Sequence, residues 1–174
     1  MKRLISAAVL TLSLATQASA HATFAETEVV QGETARLTLR IGHGCDGEAT
    51  LRVRVQIPEG LIAAQPMVHA GWALETVTAA YAQPHEYYGR TLTEGVREIA
   101  WSGELPAEYY DEFVFRVRVT EALPVGQMLH IPVVQECATG AERWIEIPAE
   151  GQDAHDLEGP APGVMVVAPT GHGH

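Results

Sequence analysis

Thr34-Ala35-Arg36-Leu37-Thr38-Leu39-Arg40-Ile41 changes character at every residue. Ala35, Leu37, Leu39 and Ile41 fall on one side of an extended chain, and Thr34, Arg36, Thr38 and Arg40 on the other. A period of two marks a strand with one face buried and one in water, as in antiparallel sheets. Ala49 to Ile57 repeats the pattern, with Leu51, Val53, Val55 and Ile57 expected inward. Phe113, Phe115, Val117 and Val119 repeat it again.

Further strands are predicted over Trp72 to Thr78, Arg97 to Trp101, Leu129 to Gln135 and Arg143 to Ile147. Turn chemistry separates them at Gly42 to Gly47, Pro58-Glu59-Gly60, Ser102-Gly103, Pro124 to Gly126 and Thr139-Gly140. About seven or eight strands and no amphipathic helix predict an all-β protein, an antiparallel Greek-key β-sandwich of immunoglobulin or cupredoxin type.

The ends read differently from the middle. Lys2 and Arg3, an apolar run from Leu4 to Ala15, and Ala18-Ser19-Ala20 have the order of a cleaved secretory signal. Residues 1–20 are therefore expected to leave, residues 21–148 to form the sandwich, and residues 149–174 to be a Gly/Pro/acidic segment. Gly163 to Ala168 is expected as at most a last edge strand in that segment, which ends with His172 and His174. Cutting after Ala20 removes twenty residues from the 174 and leaves 154, beginning His21-Ala22-Thr23-Phe24.

The chain holds 22 acidic and 11 basic residues, and loses two of the latter with the signal. Such a balance repels nucleic acid and anionic lipid. No later segment is apolar over the length a membrane span needs, so a periplasmic or secreted protein without a membrane span is expected. Cys45 and Cys137 fit an oxidising compartment, where a bridge over so long a loop would contribute roughly 4–5 kcal/mol at most. The alternative, a thiolate metal site, lacks CxxC spacing.

An enzyme of the acyl-transfer or phosphoryl kind finds no support. Ser102 is the single serine after residue 20 and sits in no nucleophile elbow, and there is neither a phosphate loop nor HExxH. His21 is the residue with chemistry. As a first residue it offers an α-amine and an imidazole Nδ1 that close a six-membered chelate, and flat nitrogen donors suit Cu(II). The other N-terminal copper motif needs histidine third, where Thr23 stands. Glu28 is either an ordinary surface glutamate or a carboxylate that a turn-back returns to His21. Trp144 shares a strand face with Glu146, because Ile145 and Ile147 claim the other, so the indole needs a partner of its own. Trp72 and Trp101 read as core. His43, in Gly42-His43-Gly44-Cys45, is either a disulfide turn or an additional ligand, and His69, His85, His130 and His155 read as surface or structural.

The ordered set of motifs resembles the YcnI-like family of bacterial extracytoplasmic domains. It comprises His21-x-Thr23-x-x-x-x-Glu28-x-x-Gln31-Gly32, Leu37-Thr38-Leu39-Arg40, Ile57-Pro58-Glu59-Gly60 and Pro66-x4-Gly71-Trp72. It continues with Ile99-x-Trp101, Glu112-Phe113-x-Phe115, Val134-Gln135 and Gly140-x-x-x-Trp144. What the resemblance implies is a Cu(II) site with a single-histidine brace: His21 and Glu28 as ligands, Trp144 beside the metal. The Cys45–Cys137 pair fits a subgroup with a disulfide, and the C-terminal membrane anchor of many members is not expected here. The expectation is a copper-binding protein for storage, delivery or detoxification, exchanging copper with other trafficking proteins. Two readings compete with it: a copper-dependent oxidase or oxygenase with His43 as second histidine, and a metal-free structural or adhesion sandwich.

Overall fold

A computed structural model describes residues 21–170. The expected signal (1–20) and the tail residues His172 and His174 lie outside them. The strands are β1 (Thr23–Phe24), β2 (Glu28–Val30), β3 (Thr34–Ile41), β4 (Thr50–Gln56), β5 (Leu61–Pro66) and β6 (Ala73–Tyr87). They continue as β7 (Arg90–Leu105), β8 (Asp111–Val119), β9 (Met128–His130), β10 (Val133–Cys137), β11 (Ala141–Trp144) and β12 (Gly163–Val167). One 3-10 turn, Ala154–Asp156, is the only helical element among the described residues.

Three sheets share the work. One runs β1-β3-β8-β5, a second β11-β10-β4-β7-β6, and a third β2-β12-β9. All pairings are antiparallel except β2 with β12. Their inner faces meet in one core: Leu37, Leu39, Phe113 and Phe115 from the first sheet, Val53, Val55, Ile99 and Trp101 from the second, and Val164 and Val166 from the third. The expected β-sandwich is the observed fold.

β3 matches the alternation read from its sequence, with Leu37, Leu39 and Ile41 buried and Arg36 and Arg40 exposed. β4 departs from it. A bulge between Thr50 and Arg52 turns Leu51 outward and buries Thr50, whose hydroxyl accepts from Gln135 Nε2 at 2.7 Å. A bulge adds one residue and so reverses the faces beyond it, which periodicity alone does not reveal.

Three more expectations need correction. The segments predicted over Trp72 to Thr78 and Arg97 to Trp101 are parts of one long hairpin, β6 and β7, closed at Tyr88-Gly89 with both residues at positive φ. Its outer half lacks alternation, having little core to face. Leu129 to Gln135 is split into β9 and β10 around Ile131-Pro132, since proline has no N–H to give a ladder. Gly163 to Val167 is the middle strand of its sheet rather than an edge, with Val164 and Val166 buried. The sandwich therefore draws on the segment after residue 148.

Candidate metal centre

His21 enters the fold through its neighbours. Ala22 and Phe24 are buried, and β1 pairs antiparallel with the end of β3, Thr23 opposite Arg40. That anchoring delivers the half-buried His21 side chain to Trp144. The two rings stand edge to face, centroids 5.2 Å apart and planes at 78°. In the 174-residue chain the nitrogen of His21 is a peptide nitrogen, so the chelating amine exists only in a chain that begins there.

Trp144 is the last residue of β11, opposite Val133 of β10. Its surroundings reverse the expected faces. Trp144 is 4% exposed, whereas Ile145 is 43% and Ile147 61% exposed. One indole carries more apolar surface than an isoleucine, so the strand is registered by the tryptophan. Beyond it the chain leaves the ladder. The Ile145 and Glu146 amides both donate to the Gly159 carbonyl, and Ala161 donates to Glu146, so residues 159–161 cross over the end of β11. Gly159 permits this approach, because a Cβ there would lie 2.2 Å from the Arg143 carbonyl oxygen. The buried Trp144 Nε1 has no hydrogen-bond partner among the described residues.

Glu28 is placed elsewhere. The expected turn-back does not form: β1 and β2 both run against the direction of β3, and the reversal comes at Gln31-Gly32, where Gly32 has φ 77° and Glu33 N–H donates to the Val30 carbonyl. Glu28 consequently lies beside Met165 and shares a surface recess with Glu33, Thr34 and Arg36 at the start of β3, whereas β1 sits at its end. Its exposed carboxylate makes no hydrogen bond or ion pair with a described residue. The acid nearest in sequence is already engaged, since Glu26 accepts from the Thr38 amide at 2.7 Å and hydroxyl at 2.9 Å.

Cys45 and Cys137 form the expected disulfide, Cα atoms 6.0 Å apart. It ties the His43 loop to the β10–β11 hairpin. Gln135 Nε2 donates to the His43 carbonyl, and His43 Nδ1 stands 2.6 Å from the Gly44 carbonyl oxygen. On the same loop, the Thr139 amide and hydroxyl donate to Glu48 and hold its carboxyl below the ordinary range.

The remaining histidines have structural settings. His69 Nε2 lies 2.8 Å from Asp111 beside Trp72 and Phe113, and His130 Nδ1 3.1 Å from the Ala161 carbonyl. His85 is buried against Tyr81, and His155 is exposed on the 3-10 turn. Among the described residues no group of three or more His, Cys, Asp and Glu side chains is arranged for a metal. A brace does not need one, because a single histidine supplies two of its donors. His21 alone carries those two donors, with the Trp144 ring packed edge to face beside it, and Glu28 in its present place is not joined to it.

Among the described residues no helix is long and apolar enough to cross a membrane. No curated protein matches the sequence. Among solved structures, an uncharacterised protein from Nocardia farcinica with an immunoglobulin-like fold superposes with a TM-score of 0.60 at 19% identity. The match covers 84% of this chain and 98% of that one, and at such identity it speaks for the fold. The family model described as a domain of unknown function (DUF1775) matches residues 21–166. A match over most of the chain, on a fold that agrees, places this protein in the DUF1775 family, to which YcnI also belongs.

Proposed function

We propose that the chain beginning at His21 is a periplasmic or secreted Cu(II)-binding protein that stores, delivers or detoxifies copper. His21 supplies its α-amine and Nδ1 to one ion. Trp144 forms a fixed apolar wall beside it and shields one side from solvent. Glu28 is the carboxylate donor in this reading, and to serve it must leave its place beside Arg36. Copper is the cargo, and other copper-trafficking proteins are the expected partners.

The observation that carries the proposal is the edge-to-face contact of His21 with Trp144, 5.2 Å between centroids. The two residues are far apart in sequence, His21 just ahead of β1 and Trp144 at the end of β11. A buried indole N–H without a partner calls for an acceptor, and an oxygen ligand carried by an ion at His21 would be one.

The test is a Cu(II) titration of the protein beginning at His21 beside a version with one additional N-terminal residue. The extra residue turns the amine into an amide and opens the chelate ring. Affinity is expected to fall at least about tenfold, or 1.4 kcal/mol. Equal binding by the two proteins would remove His21 as the anchor.

A further inference from the structure

We infer that the outer face of β3, β8 and β5 carries a second site, a recess that binds a small organic anion with an apolar body. The recess has a volume of about 490 Å³, within the range usual for small-molecule sites. Arg36, Gln65, Pro66, Met67 and Arg116 line it. Nothing in the argument depends on copper.

Its charge arrangement is unusual for this chain. Arg36 and Arg116 are register partners, directly opposite each other on β3 and β8. Arg118, opposite Thr34, follows two residues further on the same face. Like charges facing across a ladder destabilise a sheet unless something neutralises them. Four other arginines have carboxylates at contact, Arg40 with Glu112, Arg52 with Glu75, Arg54 with Glu98 and Glu136, and Arg97 with Glu59, whereas Arg90 and Arg143 stand singly, without a second arginine opposite them. Arg116 has only the Gln65 amide oxygen, bound through Nε, and both terminal nitrogens remain available. Arg118 has no hydrogen bond or ion pair with a described residue. Arg36 donates through one terminal nitrogen to the Thr38 hydroxyl at 2.8 Å and lies 3.7 Å from Glu26, a carboxylate that also accepts from the Thr38 amide and hydroxyl, which leaves the other Arg36 terminal nitrogen for a ligand. Glu28 and Glu33 line the neighbouring recess with Arg36 and form no ion pair with it.

In a chain with twice as many acidic as basic residues, Arg116 and Arg118 without a carboxylate at contact, beside an Arg36 whose Glu26 is shared with Thr38, point to an anion from outside. Planar forks suit a carboxylate or a phosphate ester, which accept two parallel hydrogen bonds. Pro66 and the half-exposed Met67 form an apolar wall beside them, which suits a ligand with a hydrocarbon portion rather than a bare inorganic ion. The same head-group chemistry occurs on free organic acids and on anionic lipids, and the recess fits the free molecule.

The experiment is calorimetric titration of the metal-free protein with octanoate, octyl phosphate, inorganic phosphate and phosphatidylglycerol vesicles. Octanoate and octyl phosphate are expected to bind, octyl phosphate tighter than inorganic phosphate. Arg116→Gln should weaken both alkyl probes at least about tenfold, since it removes a charge-assisted pair of hydrogen bonds. Arg40→Gln, on the same face but paired with Glu112, should leave them within about twofold. Met67→Gln keeps the charges and removes the wall, so it should weaken octanoate and leave inorganic phosphate unchanged. Circular dichroism and the unfolding midpoint confirm that each variant is folded, and Arg116→Gln should be no less stable than the parent because a like-charge contact is relieved. Equal binding of the alkyl probes by parent and Arg116→Gln, no binding of either, or binding of vesicles alone would each overturn the site.

Discussion

Trp101 and Trp144 are both buried indoles in the same sheet, yet only one of them is complete. Trp101, in the middle of β7, is fully buried, packs on Phe113 with centroids 5.4 Å apart, and donates through Nε1 to the Met67 carbonyl at 3.1 Å. Trp144 is nearly as buried at the end of an edge strand, and its Nε1 donates to nothing described. The ring it faces is His21. A satisfied core indole explains itself by packing. An unsatisfied one forfeits a hydrogen bond, and a fold keeps such a cost where another requirement overrides it. The difference separates a tryptophan that builds the sandwich from one that serves a site.

The first way to break that comparison is truncation. Trp101→Ala is expected to destabilise the protein by about 3–5 kcal/mol in denaturant unfolding, the cost of a large core cavity. A loss below about 1 kcal/mol would mean that Trp101 is not the core element described, because surface substitutions cost that little.

A paired substitution sharpens it. Trp101→Phe and Trp144→Phe remove the same volume, but only the first deletes a hydrogen bond, so Trp101→Phe should cost about 1 kcal/mol more. In the protein beginning at His21, Trp144→Phe should keep one copper per chain while altering the copper spectrum or its reduction. If Trp144→Phe abolished binding, the indole would be required for holding the ion and would not merely stand beside it.

Glu28 supplies the third case. Its exposed, unpartnered carboxylate predicts that Glu28→Gln leaves stability within about 0.5 kcal/mol. Copper affinity should fall and the spectrum change if the carboxylate reaches His21. An unchanged spectrum would confine the site to His21, Trp144 and solvent oxygen.

How much of this was legible beforehand depended on how local the cause was. β3 follows its own alternation at Leu37, Leu39, Ile41, Arg36 and Arg40, and departs from it at Thr38, which is buried where the Glu26 carboxylate covers it. Leu51 was misplaced because a bulge is decided by the partner strand, and Ile145 and Ile147 because Trp144 outweighs them for the core. The disulfide was readable from two cysteines and the compartment implied by the first twenty residues. At the site, residue type and position singled out His21, whereas the His21–Trp144 contact joins residues far apart in sequence and has no trace in local pattern. Within Glu26 to Gly32 the reversal comes at the last residue, where Gly32 supplies the positive φ, so Glu28 stays on the strand before it. The arginine recess was invisible, because Arg36 and Arg116 become neighbours only when β3 and β8 pair.

The smallest effect belongs to the far end of the β10–β11 hairpin, where Glu48 holds Thr139 beside the disulfide and away from Trp144. Donation from the Thr139 amide, then from its hydroxyl, favours the charged form of Glu48 and lowers its pKa from 4.5. A carboxyl with a lower pKa in the folded protein binds fewer protons than its unfolded counterpart between the two values. Its contribution is therefore complete above the unfolded pKa and disappears as pH falls through the folded one. Glu48→Gln should melt slightly below the parent at neutral pH, and the two proteins should converge as the pH is taken below 4.5. Because the group is fully exposed, added salt should reduce the gap without reversing it. A gap that stayed constant into acid would mean that the Thr139 bonds do not depend on charge. A gap that widened would contradict the direction of the shift itself. Since Thr139 lies in the turn that precedes β11 and Trp144 at the far end of that strand, copper binding at neutral pH should be the same in both proteins. A copper defect in Glu48→Gln would show that the hairpin transmits strain from its closed end to its open one.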